Sequence, residues 1–469
     1  MIGSTFRRVV AGMLAVHALA LCAQLVRAEA PGRDGPPDPR GAAWLQFAQH
    51  QHHEPPAGHS AVTRPATRPA EAEAIESIWD RQTLTGGWFG LARSLDEHGV
   101  NLDLGLTQIY QVNARNGLFT RRRAGRYTGS YDLELTVDLE KLIGLKGGQI
   151  YALAEGGWSN GIDASSVGSF FGVNGDAFGD YSIALTQFYY EQALLNDRVR
   201  IRVGKIDLTG GFECRGCVVS FDGNAFANDE TFQFLNAALV NNPTIPFPDY
   251  GLGAVVYVEP VDGFYVSAGA ADAQADFRET GFRTTFHDED QFFSIYEAGV
   301  TPHLPSANGL LPGAYRVGMW LDGAPKERFE DGRTKTDDMG FYLSFDQMLY
   351  RERQDGAVDN HEAQGLGTFI RYGLADGEVN PIRSFWSAGV QYRGPLPNRD
   401  EDIVGFGAAQ GCLSRDAGFR ASHETALELY YNIRVTGWLR ISPSAQYVFN
   451  AGGDGPDAVV VGVRAQMAF

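Results

Sequence analysis

The residues best equipped for chemistry lie in one stretch, where Asn228, Asp229, Glu230 and Gln233 are interleaved with Phe226, Phe232, Phe234 and Leu235. Planar amides and carboxylates offer paired donors and acceptors, and rings offer flat apolar faces. That combination suits a sugar, whose hydroxyls need both kinds of partner while its C–H face stacks on a ring. The same polar residues would also serve to cap a short helix, and the two roles are compatible. Upstream, Arg198, Arg200 and Arg202 alternate with Val199, Ile201 and Val203, and Lys205 and Asp207 follow.

Other chemistries find less support. Cys214 and Cys217 form a C-x-x-C pair, but no second pair has zinc-ligand spacing and no thioredoxin-like context surrounds them, so a small disulfide is expected. Cys412 then stays free or pairs between chains. His50, His52, His53 and Glu54 could ligate a metal but read as a solvated tract. No metal or cofactor is expected. Ser422 and His423 are adjacent and so are expected to project to opposite faces of a strand. No G-x-S-x-G elbow, Walker motif or dinucleotide motif occurs. A barrel-embedded esterase or a purely structural barrel is therefore the weaker alternative to a non-enzymatic pore.

The elements that must position these residues are strands. From Tyr131 to Leu139 apolar and polar residues alternate without exception, a period that puts Tyr131, Leu133, Leu135, Val137 and Leu139 on one face. Sixteen such segments are expected between 100–111 and 458–469, among them 129–139, 198–207, 402–409 and 423–433. Their typical length, about ten residues, is what a tilted strand needs to cross a bilayer. Links after odd-numbered strands are long and those after even-numbered strands mostly short, although 302–312 and 350–363 are longer. This describes an all-β transmembrane antiparallel barrel with short periplasmic turns and long extracellular loops. Trp158, Trp320, Trp386 and Trp438 lie near strand ends, where interfacial aromatic girdles belong. The apolar faces then meet outer-membrane lipid. The opposite faces turn Asp132, Glu134, Asp138, Arg200, Arg202, Glu428, Arg440, Arg464 and Gln466 into a water-filled lumen. The loop of about forty residues after Asp207 carries too many apolar side chains for a solvent-swept segment, so it is expected to fold into the barrel and narrow it.

The ends of the chain are of other kinds. Arg7 and Arg8 precede an apolar run and small residues near Ala28 and Ala30, so residues 1–30 read as a secretory signal. Residues 31–78 are rich in Pro, His and Ala and read as a disordered linker. Residues 79–99 read as a short periplasmic segment, and 100–469 as the barrel. A barrel has no edge strands, which lets one domain reach this length. The balance of 39 Lys+Arg against 57 Asp+Glu, a net charge of −18, excludes a nucleic-acid-binding face. The last strand ends on Phe469, a terminal aromatic that resembles the signal read by the outer-membrane barrel-assembly machinery.

Four segments resemble the carbohydrate-selective, OprB-like porins: Leu-Thr-Gly-Gly-Trp-Phe-Gly-Leu at 84–91, Arg-Val-Gly-Lys-Ile-Asp-Leu at 202–208, the stretch from Asn224 to Pro248, and the stretch from Glu424 to Gln446. The resemblance implies a sixteen-stranded barrel in the bacterial outer membrane that passes monosaccharides by passive diffusion, with an inward loop as constriction. A general small-solute porin is the alternative. On the same basis Arg202, Lys205, Asp207, Asn228, Asp229 and Glu230 are the best contact residues, with Arg200 and Gln233 beside them. Analogy with general porins implies a homotrimer.

Overall fold

The computed structural model describes residues 77–120, 124–213, 234–286, 290–352 and 363–469. The expected signal, all of the expected linker up to residue 76, and Cys214, Cys217, Asn228, Asp229, Glu230 and Gln233 lie outside them.

The alternating segments form sixteen long strands among the described residues. They are β1 (Val100–Asn116), β2 (Gly125–Asp138), β3 (Gly148–Trp158), β4 (Tyr181–Leu194), β5 (Val199–Ile206), β6 (Gly251–Val261), β7 (Phe264–Asp272) and β8 (Phe292–Val300). Then follow β9 (Gly309–Asp322), β10 (Asp338–Arg351), β11 (Gly365–Ala375), β12 (Ile382–Arg393), β13 (Ile403–Leu413), β14 (His423–Arg434), β15 (Leu439–Phe449) and β16 (Ala458–Ala468). Each pairs antiparallel with its neighbours in sequence, and β1 closes the barrel on β16 from Gly105↔Ala468 to Asn116↔Ala458. Closure satisfies every strand edge, the condition for crossing lipid with strands. A barrel of this strand number is wide enough for an aqueous lumen.

Alternation sorts the side chains. On β5 Arg202 is 1% exposed and faces inward, whereas its neighbour Val203 is 47% exposed on the outside. The outer coat includes Tyr110, Val256, Tyr296, Val317, Phe341, Ile370 and Leu429, while Glu297, Arg316, Asp346, Arg371, Glu424 and Arg464 are buried within. Reversing that order on one strand is costly, since a charge on the lipid face costs roughly 2–4 kcal/mol at the midplane. Close cross-strand contacts explain part of the glycine content: a Cβ at Gly318 or Gly299 would collide with the rings of Tyr342 and Tyr265, which lie flat over them on the lumen side.

Several details differ from the reading of the sequence. Trp320 is not part of a girdle; it faces the lumen, fully buried, stacked on Phe293 with the Lys326 ammonium 5.8 Å from its ring. Residue parity along β9 places it beside Arg316 rather than Val317. The apolar face of β2 meets lipid only in part, because Leu135, Val137 and Leu139 pack under Leu95 and Leu142 of two short helices, Leu91–Asp96 and Leu139–Ile143. Asp138 is the N-cap of the second helix, accepting from the backbone of Glu140 and Lys141. The strand expected to end at residue 409 continues to Leu413, which places Cys412 in the wall as a free thiol instead of in a loop. The longer link at 302–312 is a hairpin extension, with His303–Ser306 paired to the start of β9.

The segment before β1 closes the seam of the barrel. Residues 100–104 of β1 precede the register shared with β16, which starts at Gly105. There Trp88 Nε1 donates to the Leu102 carbonyl at 2.9 Å, Phe469 N donates to Leu104 O at 3.0 Å, and Leu84 N donates to Ala468 O at 2.8 Å. Trp438 reaches the same segment through Nε1 to Ile78 O at 2.8 Å.

Candidate pore constriction

The connection between β5 and β6 turns inward at both of its described ends. Asp207 opens it as a turn cap, accepting from Thr209 N at 2.8 Å and Thr209 Oγ1 at 2.6 Å. Phe212 and Glu213 are buried, and the Glu213 N–H donates to Glu297 on β8 at 2.8 Å. At the other end Phe234 wedges against Tyr430 and Phe369, with ring centroids 5.1 and 5.7 Å away. The next residues make one short helix, Ala237–Val240, buried throughout. Glu428 on β14 receives the N–H groups of Leu235 at 3.0 Å and Asn236 at 2.7 Å. Arg371 on β11 donates to the carbonyl of Val240 at 2.8 Å. Asn236 Oδ1 caps the helix itself, and its amide donates to Gln446 on β15 at 2.9 Å.

A second inward loop was not anticipated. Residues 159–180, between β3 and β4, bring Val167, Phe170, Phe171 and Val173 into the lumen. Glu424, four residues before Glu428 and on the same face of β14, accepts from Ser169 Oγ at 2.6 Å and Phe170 N at 2.8 Å. Gln111 and Gln446 both donate to Val173 O at 2.8 Å. Asp163 folds the loop on itself by accepting from Ser169 N and Val173 N. Burial raises its carboxyl to about 6, against the lowering effect of those two N–H groups. The two loops also bond each other, Gly175 N to Leu235 O at 2.7 Å and Ala237 N to Gly172 O at 3.1 Å.

Further charges line the wall from β2 to β10. Arg202 stacks on Tyr189 at 4.2 Å and pairs with Glu191 at 3.3 Å, and Arg200 lies 4.0 Å from the same carboxylate. Tyr151 stacks on Tyr189 and donates to Glu134 at 3.0 Å. Lys205 donates to the Phe277 and Glu279 carbonyls at 2.8 and 2.6 Å, holding the loop after β7. Arg316 and Asp346 form a fully buried pair at 3.0 Å. Glu297 accepts from Tyr265 at 2.7 Å and Tyr342 at 2.8 Å. Burial pushes the loop carboxyl Glu213 up to about 7, partly offset by the nearby Arg371 guanidinium and the Asn242 amide.

With the barrel and its inward loops described, comparison with known proteins is decisive. Residues 122–469 match the family described as carbohydrate-selective porin, OprB family. The chain belongs to that family. Porin B of Pseudomonas aeruginosa is 23% identical over 441 residues, covering 86% of this porin and 94% of that one. Porin AaxA of Chlamydia muridarum is 24% identical over 60% of this chain and 55% of its own. The fold is that of Pseudomonas putida OprB in its high-pH structure, with a TM-score of 0.73, 20% identity, and coverage of 84% of this chain and 100% of that one. The chain is thus a carbohydrate-selective outer-membrane porin, a class that is not enzymatic.

Within this porin the residues singled out from sequence divide into groups. Arg200 and Arg202 are brought together on Glu191; Lys205 and Asp207 serve loop and turn. Glu134 is bound by Tyr151, and Arg440 donates to Asn432 at 3.0 Å. Arg464 is buried on the lumen face of β16. Sequence reasoning missed Glu424, Glu297, Arg316, Asp346 and Arg371. The parity that singled out Arg200 would have found Arg316, between Tyr315 and Val317, and Arg371, between Ile370 and Tyr372. Nothing in the sequence marks Glu424 as a holder of the second loop.

Proposed function

We propose that this porin passes monosaccharides by passive diffusion through a lumen narrowed by its two inward loops. The reading rests above all on the short helix Ala237–Val240 being clamped inside the barrel by Glu428 and Arg371. Residues 214–233 join Glu213 to Phe234, and both of those ends are buried in the lumen. Asn228, Asp229, Glu230 and Gln233 belong to that stretch. We assign to them, together with Arg200, the pairing with sugar hydroxyls. No energy source is required: a fixed array of donors and acceptors replaces the water that a sugar sheds on entering a narrow passage, while uncharged solutes of similar size that lack hydroxyls gain no such replacement. We assign Phe469, whose N–H donates to Leu104 O at the barrel seam, to recognition by the assembly machinery.

The test is swelling of proteoliposomes in isosmotic glucose, maltose and a neutral amino acid. The proposal expects glucose to enter faster than the smaller amino acid. Entry ordered by size alone would make the chain a general small-solute porin, and no entry of any solute would remove the pore reading.

A further inference from the structure

The segment that seals the barrel seam carries an unusual backbone. Gly86, Gly87, Trp88, Phe89 and Gly90 are five consecutive residues with positive φ, from 53° to 89°. Three are glycines, which adopt this region freely, but for Trp88 and Phe89 the left-handed conformation costs roughly 1–2 kcal/mol each. The turn sends its two aromatic residues in different directions. Trp88 is spent on the Leu102 carbonyl, whereas Phe89 is 88% exposed.

Phe89 does not stand alone. The helix Leu91–Asp96 follows directly and packs Leu95 over Val100, Leu102, Leu135 and Val137, which belong to the outward face of β1 and β2. The helix Leu139–Ile143 lies beside it, joined by Lys141 to Asp96 at 3.5 Å, and packs Leu142 over the same cluster. The two helices thus replace a patch of the barrel's lipid-facing coat at its short-turn end. Among the polar side chains of their outer surface (Arg93, Ser94, Asp96, Glu140 and Lys141), Leu91 is 53% exposed and Ile143 70%, and Leu145, just past the second helix, is 42% exposed. Large apolar side chains on short surface helices, continuous with a lipid-facing wall and flanked by the exposed ammonium groups of Lys141 and Lys146, have the chemistry of an interfacial anchor.

We infer that residues 86–96 and 139–145 form a foot in the membrane interface, in which the left-handed turn drives Phe89, with Leu91, Ile143 and Leu145, into the headgroup–acyl boundary of the phospholipid leaflet at the short-turn end. The test places a photoreactive benzoylphenylalanine at position 89, at 143, or at the control position Asp262, whose side chain is 91% exposed in the β6–β7 turn. Each full-length porin is reconstituted in phosphatidylethanolamine–phosphatidylglycerol vesicles, checked for a folded barrel by heat-modifiable gel mobility, irradiated, and weighed by mass spectrometry. The inference expects several-fold more phospholipid adduct at 89 and 143 than at 262. Adduct yields equal to the control, or adducts only to a second copy of the porin, would overturn it. The two independent positions keep the test decisive if one substituted chain fails to fold.

Discussion

Glu428 and Arg371 grip opposite ends of the same helical turn: the carboxylate takes the N–H groups of Leu235 and Asn236 that enter it, and the guanidinium takes the Leu239 and Val240 carbonyls that leave it. Each charge sits at the end of the helix that its sign favours. The two side chains come from β14 and β11, so the turn is suspended between separate parts of the wall.

Replacing that carboxylate should loosen the suspension. In Glu428→Gln one amide oxygen remains to accept and the NH2 faces the N–H donors of the loop, at a cost of about 1–3 kcal/mol for unmet buried donors. The expected result is a barrel that still folds, with higher single-channel conductance and more current noise than the wild type in planar bilayers.

The two inward loops should fail together. Because Gly175 N bonds Leu235 O and Ala237 N bonds Gly172 O, releasing either loop weakens the other. In a double-mutant cycle of Glu424→Gln and Glu428→Gln, the loss of stability to urea should depart from additivity by about 0.5–3 kcal/mol. Additive losses would show that each loop is held independently.

Acidity should tighten the loop between β3 and β4. The Asp163 carboxyl is raised by burial from its usual 3.8 to about 6, so in this interval the folded loop binds more protons than the open one. Its contribution is then fully present below about pH 4 and is lost as the pH rises through 6, by at most about 3 kcal/mol. Exchange of the Ser169 and Val173 amides, corrected for intrinsic rate, should be slower at pH 5 than at pH 7. Asp163→Asn should remove the difference.

Truncations inside and outside the wall at β9 should differ greatly in cost. Asp346→Ala on β10 removes the carboxylate paired with the fully buried Arg316 of β9, a loss of roughly 3–5 kcal/mol. On the next residue, Val317→Ala merely trims the lipid coat and should alter stability by less than about 1 kcal/mol. Heat-modifiable gel mobility across a temperature series separates the two.

Much of this architecture is legible in the order of residues because a strand exposed to lipid on one face and water on the other must alternate. That is why the strand count and the inward face of Arg202 emerge from sequence. What alternation cannot convey is which inward residue meets which loop. Glu428 reads as wall, but its partners, Leu235 and Asn236, lie 193 and 192 positions away in the chain. Asp207 has the composition of a contact residue, yet its neighbour two residues on, Thr209, takes both of its oxygens in a turn. Trp320 reads as a girdle residue by type and position, and only its parity with Arg316 along β9 reveals an inward ring.

The central claim is that the loop suspended between Glu428 and Arg371 is the sugar-sensing constriction. It is tested most directly by titrating glucose into single channels of the wild type and of Glu428→Gln while recording ion current. The account predicts saturable, glucose-dependent reduction of current in the wild type and markedly weaker block in the variant. Equal block in the two would place the constriction elsewhere in the barrel and contradict it.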